Sequence, residues 1–197
     1  MATFYLIRHA DNDLVGKAIA GWMPGVHLNA EGRAQAGRLA RKLAGRGISR
    51  IYSSPLERAV ETAEPLAQAL ALTIQIRDAF TDVPAGEWTG KTYQQLESDP
   101  RWRHFHEYRG VTRPPGGESM LETQVRFVAE LLCLREQYAN ETMAVVSHAD
   151  PIRAALLYFL GMPLDFCHRI EISPAAFSLL RLEDWGPQVL VMNEDVG

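Results

Sequence analysis

Apolar residues in this chain fall in short runs separated by longer stretches of helical period. Thr3-Phe-Tyr-Leu-Ile-Arg8 is rich in aromatic and branched residues and predicts a buried strand. The segment from Ala10 to Leu28 has several glycines and no period, so it is expected to be a loop. Asn29 can cap a helix in which Ala36, Leu39, Ala40 and Leu43 share a face, ending near Gly45 and Gly47. Arg50 to Ser53 is a second strand. Ser54-Pro55-Leu56-Glu57 has capping-box spacing, with serine as cap, proline at the first helical position and glutamate at the third. It predicts a helix through Leu70 with Leu56, Val60, Ala63, Leu66, Ala67 and Leu70 inward.

Leu72 to Ile76 reads as a third strand, and Arg77 to Lys91 as a loop punctuated by Pro84, Gly86 and Gly90. Residues 99–117 are polar and aromatic, close on Pro114-Pro115-Gly116-Gly117, and suggest a lid-like insertion over a site. Glu118 to Tyr138 is a long amphipathic helix through Leu121, Val125, Val128, Leu132 and Leu134, followed by a strand from Thr142 to Ser147. Asp150-Pro151 opens a helix that ends by Gly161. His168 to Ile172, Ala176 to Leu182 and Gln188 to Met192 read as closing strands, the last two joined as a hairpin around Trp185-Gly186-Pro187. Strands alternating with helices imply an α/β fold. We expect a three-layer α/β/α sandwich on a mixed, mostly parallel sheet, in a single domain, with an antiparallel edge near the C-terminus.

Composition narrows the function classes. With 197 residues, 47% of them hydrophobic, the chain can bury one full core. A formal charge of −4 argues against non-specific nucleic-acid or anionic-membrane binding, so any anion site must be local. Arg8, His9 and Asp11 interrupt the first apolar run before it reaches signal-peptide or membrane-span length, and a soluble, cytoplasmic protein is expected. Cys133 and Cys167 lie far apart in apolar sequence and are expected to be reduced, buried thiols.

Three strands end in similar chemistry. The first finishes in Arg8-His9, the second leads through Ser53-Ser54 to Arg58 in the first turn of its helix, and the fourth runs into Ser147-His148. Ligands of open α/β sheets bind beyond the carboxyl ends of strands, so two histidines and two arginines are expected in one crevice. Helix N-termini near Ser54 and Asp150 add amides and positive dipole ends. Such a pocket suits a phosphoryl dianion, because guanidinium forks match its oxygens in pairs and stay charged.

The segments Leu6-Ile7-Arg8-His9-Ala10, Ser53-Ser54-Pro55-Leu56-Glu57-Arg58-Ala59 with Thr62-Ala63, and Val146-Ser147-His148-Ala149 resemble the signature segments of the histidine phosphatase superfamily, phosphoglycerate-mutase-like branch. Leu28 to Gln35 and Gly116-Gly117-Glu118-Ser119 resemble that family's first and long helix starts, so the likeness spans nearly the whole chain. The resemblance implies that His9 is the nucleophile that becomes phosphohistidine, that Arg8 and Arg58 hold phosphate oxygens, and that His148 contacts the transferring group. It places Asp82 at the acidic proton donor, where this branch usually keeps glutamate; Glu87 is the runner-up. Ala10 and Ala149 stand where glycine is common, which is tolerable if the backbone there does not need positive φ.

The implied chemistry is self-consistent. A neutral imidazole is a good nucleophile near pH 7, and a covalent intermediate splits phosphoryl transfer into two easier steps. Guanidiniums stabilise the equatorial oxygens, so neither metal nor cofactor is expected. A carboxylic acid protonates the leaving oxygen and then, as carboxylate, activates water. The expected activity is therefore a phosphomonoesterase acting on a small phosphorylated metabolite, with a homodimer compatible with the reading.

Two alternatives stand beside it: phosphoglycerate-mutase-type transfer back to substrate, and a catalytically silent phospho-ligand-binding module. The chain is short compared with cofactor-dependent mutases, which favours hydrolysis. His104, His106 and His168 suggest a metal site only weakly, because the His-x-His pair lacks a matched carboxylate or cysteine. Trp22, Trp88, Trp102, Tyr108, Arg109 and Arg113 are candidates for lining the substrate entrance, or the aromatics for a small core of the insertion.

Overall fold

A computed structural model describes residues 1–197 and contains one six-stranded sheet. Its strands are β1 (Ala2–Arg8), β2 (Arg50–Ser53), β3 (Ile74–Ile76), β4 (Thr142–Ser147), β5 (Phe177–Leu182) and β6 (Pro187–Glu194), in the spatial order β3-β2-β4-β1-β5-β6. The first four are mutually parallel, while β5 and β6 form the expected antiparallel hairpin at one edge. The helices are α1 (Ala30–Leu43), α2 (Glu57–Leu70), α3 (Tyr93–Leu96), α4 (Pro100–Glu107), α5 (Met120–Gln137) and α6 (Ala149–Phe159).

The continuous apolar character of β1 and β4 follows from burial on both sides. Phe4 and Leu6, with Met143 and Val145, pack in the core under α5 and α6, whereas Tyr5 and Ile7, with Ala144 and Val146, pack under α1 and α2. This is the three-layer sandwich the sequence pattern implies. Asn29 caps α1 by accepting from the Gly32 amide at 2.8 Å. Ser119 and Glu122 form a reciprocal capping box at the start of α5.

Several expectations are corrected. Ser54 is not the cap of α2: the helix begins at Glu57 after Leu56, and the Ser54 hydroxyl is turned instead toward His148. The inward face of α5 is Met120, Thr123, Gln124, Phe127, Val128, Leu131 and Leu134, while Leu121, Val125 and Leu132 are exposed. Apolar spacing misplaced this face because two polar residues occupy it. Thr123 donates to Glu118 at 2.7 Å, and Gln124 donates to the Ala154 carbonyl at 2.8 Å, so neither is buried unsatisfied.

His168 to Ile172 is not a strand. A 3-10 turn covers Leu164–Arg169, and the carbonyls of Ile170 and Ile172 accept from Arg153 and Arg8 in place of a neighbouring strand. The buried alternation of Ile170 and Ile172 imitates a strand without a ladder. β3 starts at Ile74, two residues later than expected. Cys167 is buried as expected, but Cys133 is exposed on α5.

Candidate active site

Register brings the chemistry together. Arg8 lies opposite Ser147 in the β1–β4 pair, and Ser53 opposite Val146 in the β2–β4 pair, so three adjacent strands end at one level. His9 then donates its amide to the Ser147 carbonyl at 2.8 Å, and Ser54 donates to that of Val146 at 2.9 Å. The chain beyond these ends turns into a cavity of about 570 Å³ whose lining includes Arg8, His9, Arg58, Asp82 and His148. All five residues singled out in the sequence meet there. Ala10 and Ala149 lie outside the positive-φ positions, so their replacing glycine costs no backbone strain.

Hydrogen bonds define the imidazoles. His9 Nδ1 lies 2.8 Å from the Ala10 carbonyl, which can only accept, so Nδ1 carries the proton and Nε2 keeps its lone pair. Burial lowers the pKa of His9 well below its usual value, and Arg58 and Arg8 add to this, so the ring is neutral. His148 faces it, with ring centroids 5.1 Å apart. Its Nε2 is 2.8 Å from the Ser54 hydroxyl, which accepts from the Leu56 amide at 3.3 Å and, buried, has no other acceptor for its own hydrogen, so it donates to His148. That leaves Nδ1–H of His148 as a buried donor with no partner in the protein. Burial, then the charge of Arg58, pushes this histidine's pKa well down too.

Arg58 is fully buried. One nitrogen, Nη2, donates to the Gly21 carbonyl at 2.8 Å and to Asp82 Oδ2 at 3.1 Å, while Nε and Nη1 have no partner. Arg8 similarly spends Nη1 on the Ile172 carbonyl at 2.6 Å and leaves Nε free. Buried donors of this kind cost about 1–3 kcal/mol each unless an acceptor meets them. Four such N–H groups beside a neutral, nucleophilic imidazole nitrogen therefore make a receptor for an anion with several oxygens.

Asp82 closes the site. Its Oδ1 accepts from the Val83 amide at 2.9 Å, and its Oδ2 lies 3.7 Å from His148 Nδ1. Burial raises the pKa of its carboxyl even against the pull of Arg58, a shift that favours the protonated acid. Glu87 lies elsewhere: its side chain is 59% exposed, pairs with Arg101 at the surface and does not line the cavity. The Asp82 loop is held against residues 114–118 by crossed backbone bonds, Glu87 amide to Pro115 carbonyl and Glu118 amide to Pro84 carbonyl. A Cβ on Gly86 would lie 2.1 Å from the Pro115 oxygen, and one on Gly117 would lie 2.2 Å from that of Pro84, so the crossing requires both glycines.

The remaining candidates separate. His106 lines the cavity and meets His168, with Nδ1 and Nε2 2.8 Å apart, but His104 does not line it and lies beside Tyr108 in a tilted ring pair. Arg109 Nη2 sits 3.1 and 3.2 Å from those two imidazole nitrogens, so a guanidinium occupies the place a shared metal ion would need. Burial and the charge of Arg109 lower the pKa of His106 to about 4.

Arg109 itself is buried against Asp150 at 2.7 Å, and Asp150 also takes Arg153 at 3.0 Å. Burial opposes the charge on Asp150, yet the two arginines hold its carboxyl below the usual range. Trp88 packs edge to face with Trp102 and with Phe105; Trp88 and Phe105 belong to the main hydrophobic core with Trp102 against it, and all three form part of the cavity wall. Tyr108 and Arg113 do not line it. Trp22 is also absent from the lining and donates to the Asp82 backbone carbonyl at 2.6 Å.

Comparison with known proteins agrees with the geometry. Residues 4–195 match the model of the histidine phosphatase superfamily, branch 1, and the chain belongs to that family. It is 30% identical over 197 residues to phosphoserine phosphatase 1 of Hydrogenobacter thermophilus, covering 98% of this chain and 92% of that protein. It is 27% identical over 179 residues to a 2,3-bisphosphoglycerate-dependent phosphoglycerate mutase of Thermoplasma acidophilum, covering 90% and 86%. Some mycobacterial relatives are longer, and the chain spans 53% of their length. A mutant phosphoserine phosphatase from Entamoeba histolytica, solved in complex with phosphoserine, superposes with a TM-score of 0.89 at 26% identity, covering 98% of each chain. The class of protein is thus a phosphatase of this family, and no helix is long and apolar enough to cross a membrane.

Proposed function

We propose that the chain is a metal-independent phosphomonoesterase that acts on a small phosphorylated metabolite through a phosphohistidine at His9. The observation that carries this reading is the set of unpartnered buried donors, Arg58 Nε and Nη1, Arg8 Nε and His148 Nδ1, around an imidazole whose Nε2 lone pair is free. His9 Nε2 attacks phosphorus, the ester P–O bond breaks, and Asp82 gives its proton to the leaving oxygen. The Asp82 carboxylate then takes a proton from water as that water attacks phosphohistidine. Cleavage of the P–N bond releases phosphate and restores neutral His9 and protonated Asp82. Arg8, Arg58 and His148 hold the equatorial oxygens and carry their charge, the role a metal plays elsewhere.

A substrate dianion against Arg58 adds negative charge beside Asp82 and reinforces its protonation. The cavity extends well past the phosphoryl position, with Leu14, Val15, Trp102 and His106 in its outer wall, so the 10–27 loop and the 99–117 lid select the leaving group. Phosphoserine is the first substrate to test, on the strength of the named relatives. The similarity to a phosphoglycerate mutase supports a second reading, return of the phosphoryl group to substrate.

Phosphate release from a panel of monoesters, including p-nitrophenyl phosphate, phosphoserine and 3-phosphoglycerate, tests these readings in EDTA. The expected result is metal-free release inhibited by vanadate. Strict dependence on magnesium or zinc overturns the mechanism, isomerisation of phosphoglycerate without release favours the mutase, and affinity without turnover indicates a binding module.

A further inference from the structure

The acid loop between β3 and the cavity has one 3-10 turn, Asp78–Phe80, and the carbonyls of residues 79–82 accept from side chains, not from sheet or helix. Phe80 is held by the Ser147 hydroxyl at 2.7 Å. The carbonyls on either side converge on one residue of α5: Arg126 Nη1 donates to Ala79 at 2.7 Å and Thr81 at 2.8 Å, and Nη2 donates to Asp82 at 2.9 Å. The rest of the guanidinium is spent on Glu118, from Nε at 3.0 and 3.1 Å and from Nη2 at 2.8 Å. All five N–H groups are thus used, and Glu118 is itself fixed by Thr123 at 2.7 Å. Arg126 is not a lining residue of the cavity, so it touches neither phosphate nor the leaving group.

We propose that Arg126, with Glu118 as counterion, is a positioning residue that fixes where the Asp82 carboxyl meets the leaving-group oxygen. The inference rests on the reading of Asp82 as proton donor. Three carbonyls within four residues, gripped by one planar fork, leave the Asp82 backbone no rotation that keeps all three bonds. Proton transfer needs heavy atoms within about 2.6–3.2 Å, so a shift of about 1 Å in that backbone removes the transfer without disturbing the phosphate donors. Lysine supplies charge but not the fork, and can satisfy only part of the set.

The test compares Arg126→Met, Arg126→Lys and Glu118→Gln with Asp82→Asn, using an alkyl phosphate and p-nitrophenyl phosphate. Arg126→Met should lower the single-turnover rate of P–O cleavage on the alkyl ester by about 10- to 100-fold, with the first-step burst of p-nitrophenol and vanadate inhibition within about threefold, and Arg126→Lys should fall between it and wild type; these first-step rates are the ones compared below, because the second step uses Asp82 with either ester. The Asp82→Asn/Arg126→Met double variant should be no slower than Asp82→Asn alone, because both remove one function. If the arginine variants do not fold, Glu118→Gln, which keeps the guanidinium and loosens its anchor, should show the same leaving-group gap in milder form. Equal losses on both esters, or multiplicative losses in the double variant, overturn the positioning role. Absence of a leaving-group effect in Asp82→Asn overturns the reading of Asp82 and this inference with it. Its presence in Asp82→Asn but not in the Arg126 and Glu118 variants overturns the clamp alone.

Discussion

Arg58→Met separates an arginine kept for its ligand from one kept for the fold. The side chain is fully buried, two of its nitrogens have no partner, and its remaining bonds go to Gly21 and Asp82. Two charge-assisted bonds to phosphoryl oxygens, at about 1.5–3 kcal/mol each, amount to about 3–6 kcal/mol of transition-state stabilisation. At 1.4 kcal/mol per tenfold, kcat/KM should fall by about 100- to 10,000-fold.

Stability should move little. Methionine fills the space of the stem, and the bonds lost to Gly21 and Asp82 are offset by two unsatisfied donors removed, which leaves a net change within about 2 kcal/mol. The paired assay is thermal unfolding with and without vanadate. A ligand at about 100 times Kd adds about 2.7 kcal/mol, or several degrees for a chain of this size, and this protection should vanish in the variant. A variant that keeps activity within tenfold but unfolds far below wild type would show that Arg58 is a structural residue, and the reasoning would fail.

Three further outcomes follow from the same geometry. Asp82→Asn should slow alkyl phosphates by about 100- to 10,000-fold and largely spare p-nitrophenyl phosphate in the first step, while Glu87→Gln should be mild on both; the reverse pattern would make Glu87 the acid. Ser54→Ala removes the donor that fixes the His148 tautomer, so Nδ1–H is no longer assured toward the phosphoryl group, and kcat/KM should fall by about tenfold with normal folding. His9 and His148 have folded-state pKa values below their unfolded ones, so the unfolded chain binds more protons as pH drops below about 6.5. Unfolding free energy should therefore fall with pH there, by up to about 1.4 kcal/mol per unit for each histidine, and His148→Asn should flatten the slope measured by denaturant titration.

The sheet, its two helical faces and the convergence of Arg8, His9, Arg58 and His148 were legible in the sequence because each rests on a local signal. An unbroken apolar run gives a central strand, and the residue after its end must reach the crevice. Asp82 was placed by resemblance, and its separation from Glu87 needed three dimensions, since both lie on one loop and only one side chain enters the cavity.

Three of the errors share a cause. Ser54 has the spacing of a cap but serves His148, Gln124 looks like a solvent residue but meets Ala154, and Ile172 looks like a strand residue but offers its carbonyl to Arg8. In each, a partner more than 20 residues away decides the polar group, and local pattern cannot see it. Arg126 was passed over for the same reason, being one charged residue on a long helix until its three carbonyl partners are in view.

The central claim is tested most directly by acid-quenching the enzyme during turnover of a labelled phosphate ester and mapping the label. Acid-labile, base-stable phosphate on His9, attached at Nε2 and absent from His9→Ala, is the result expected from the protonated Nδ1 of His9 and the free lone pair opposite it. Label on His148, or turnover that persists in His9→Ala with no trapped intermediate, would contradict it.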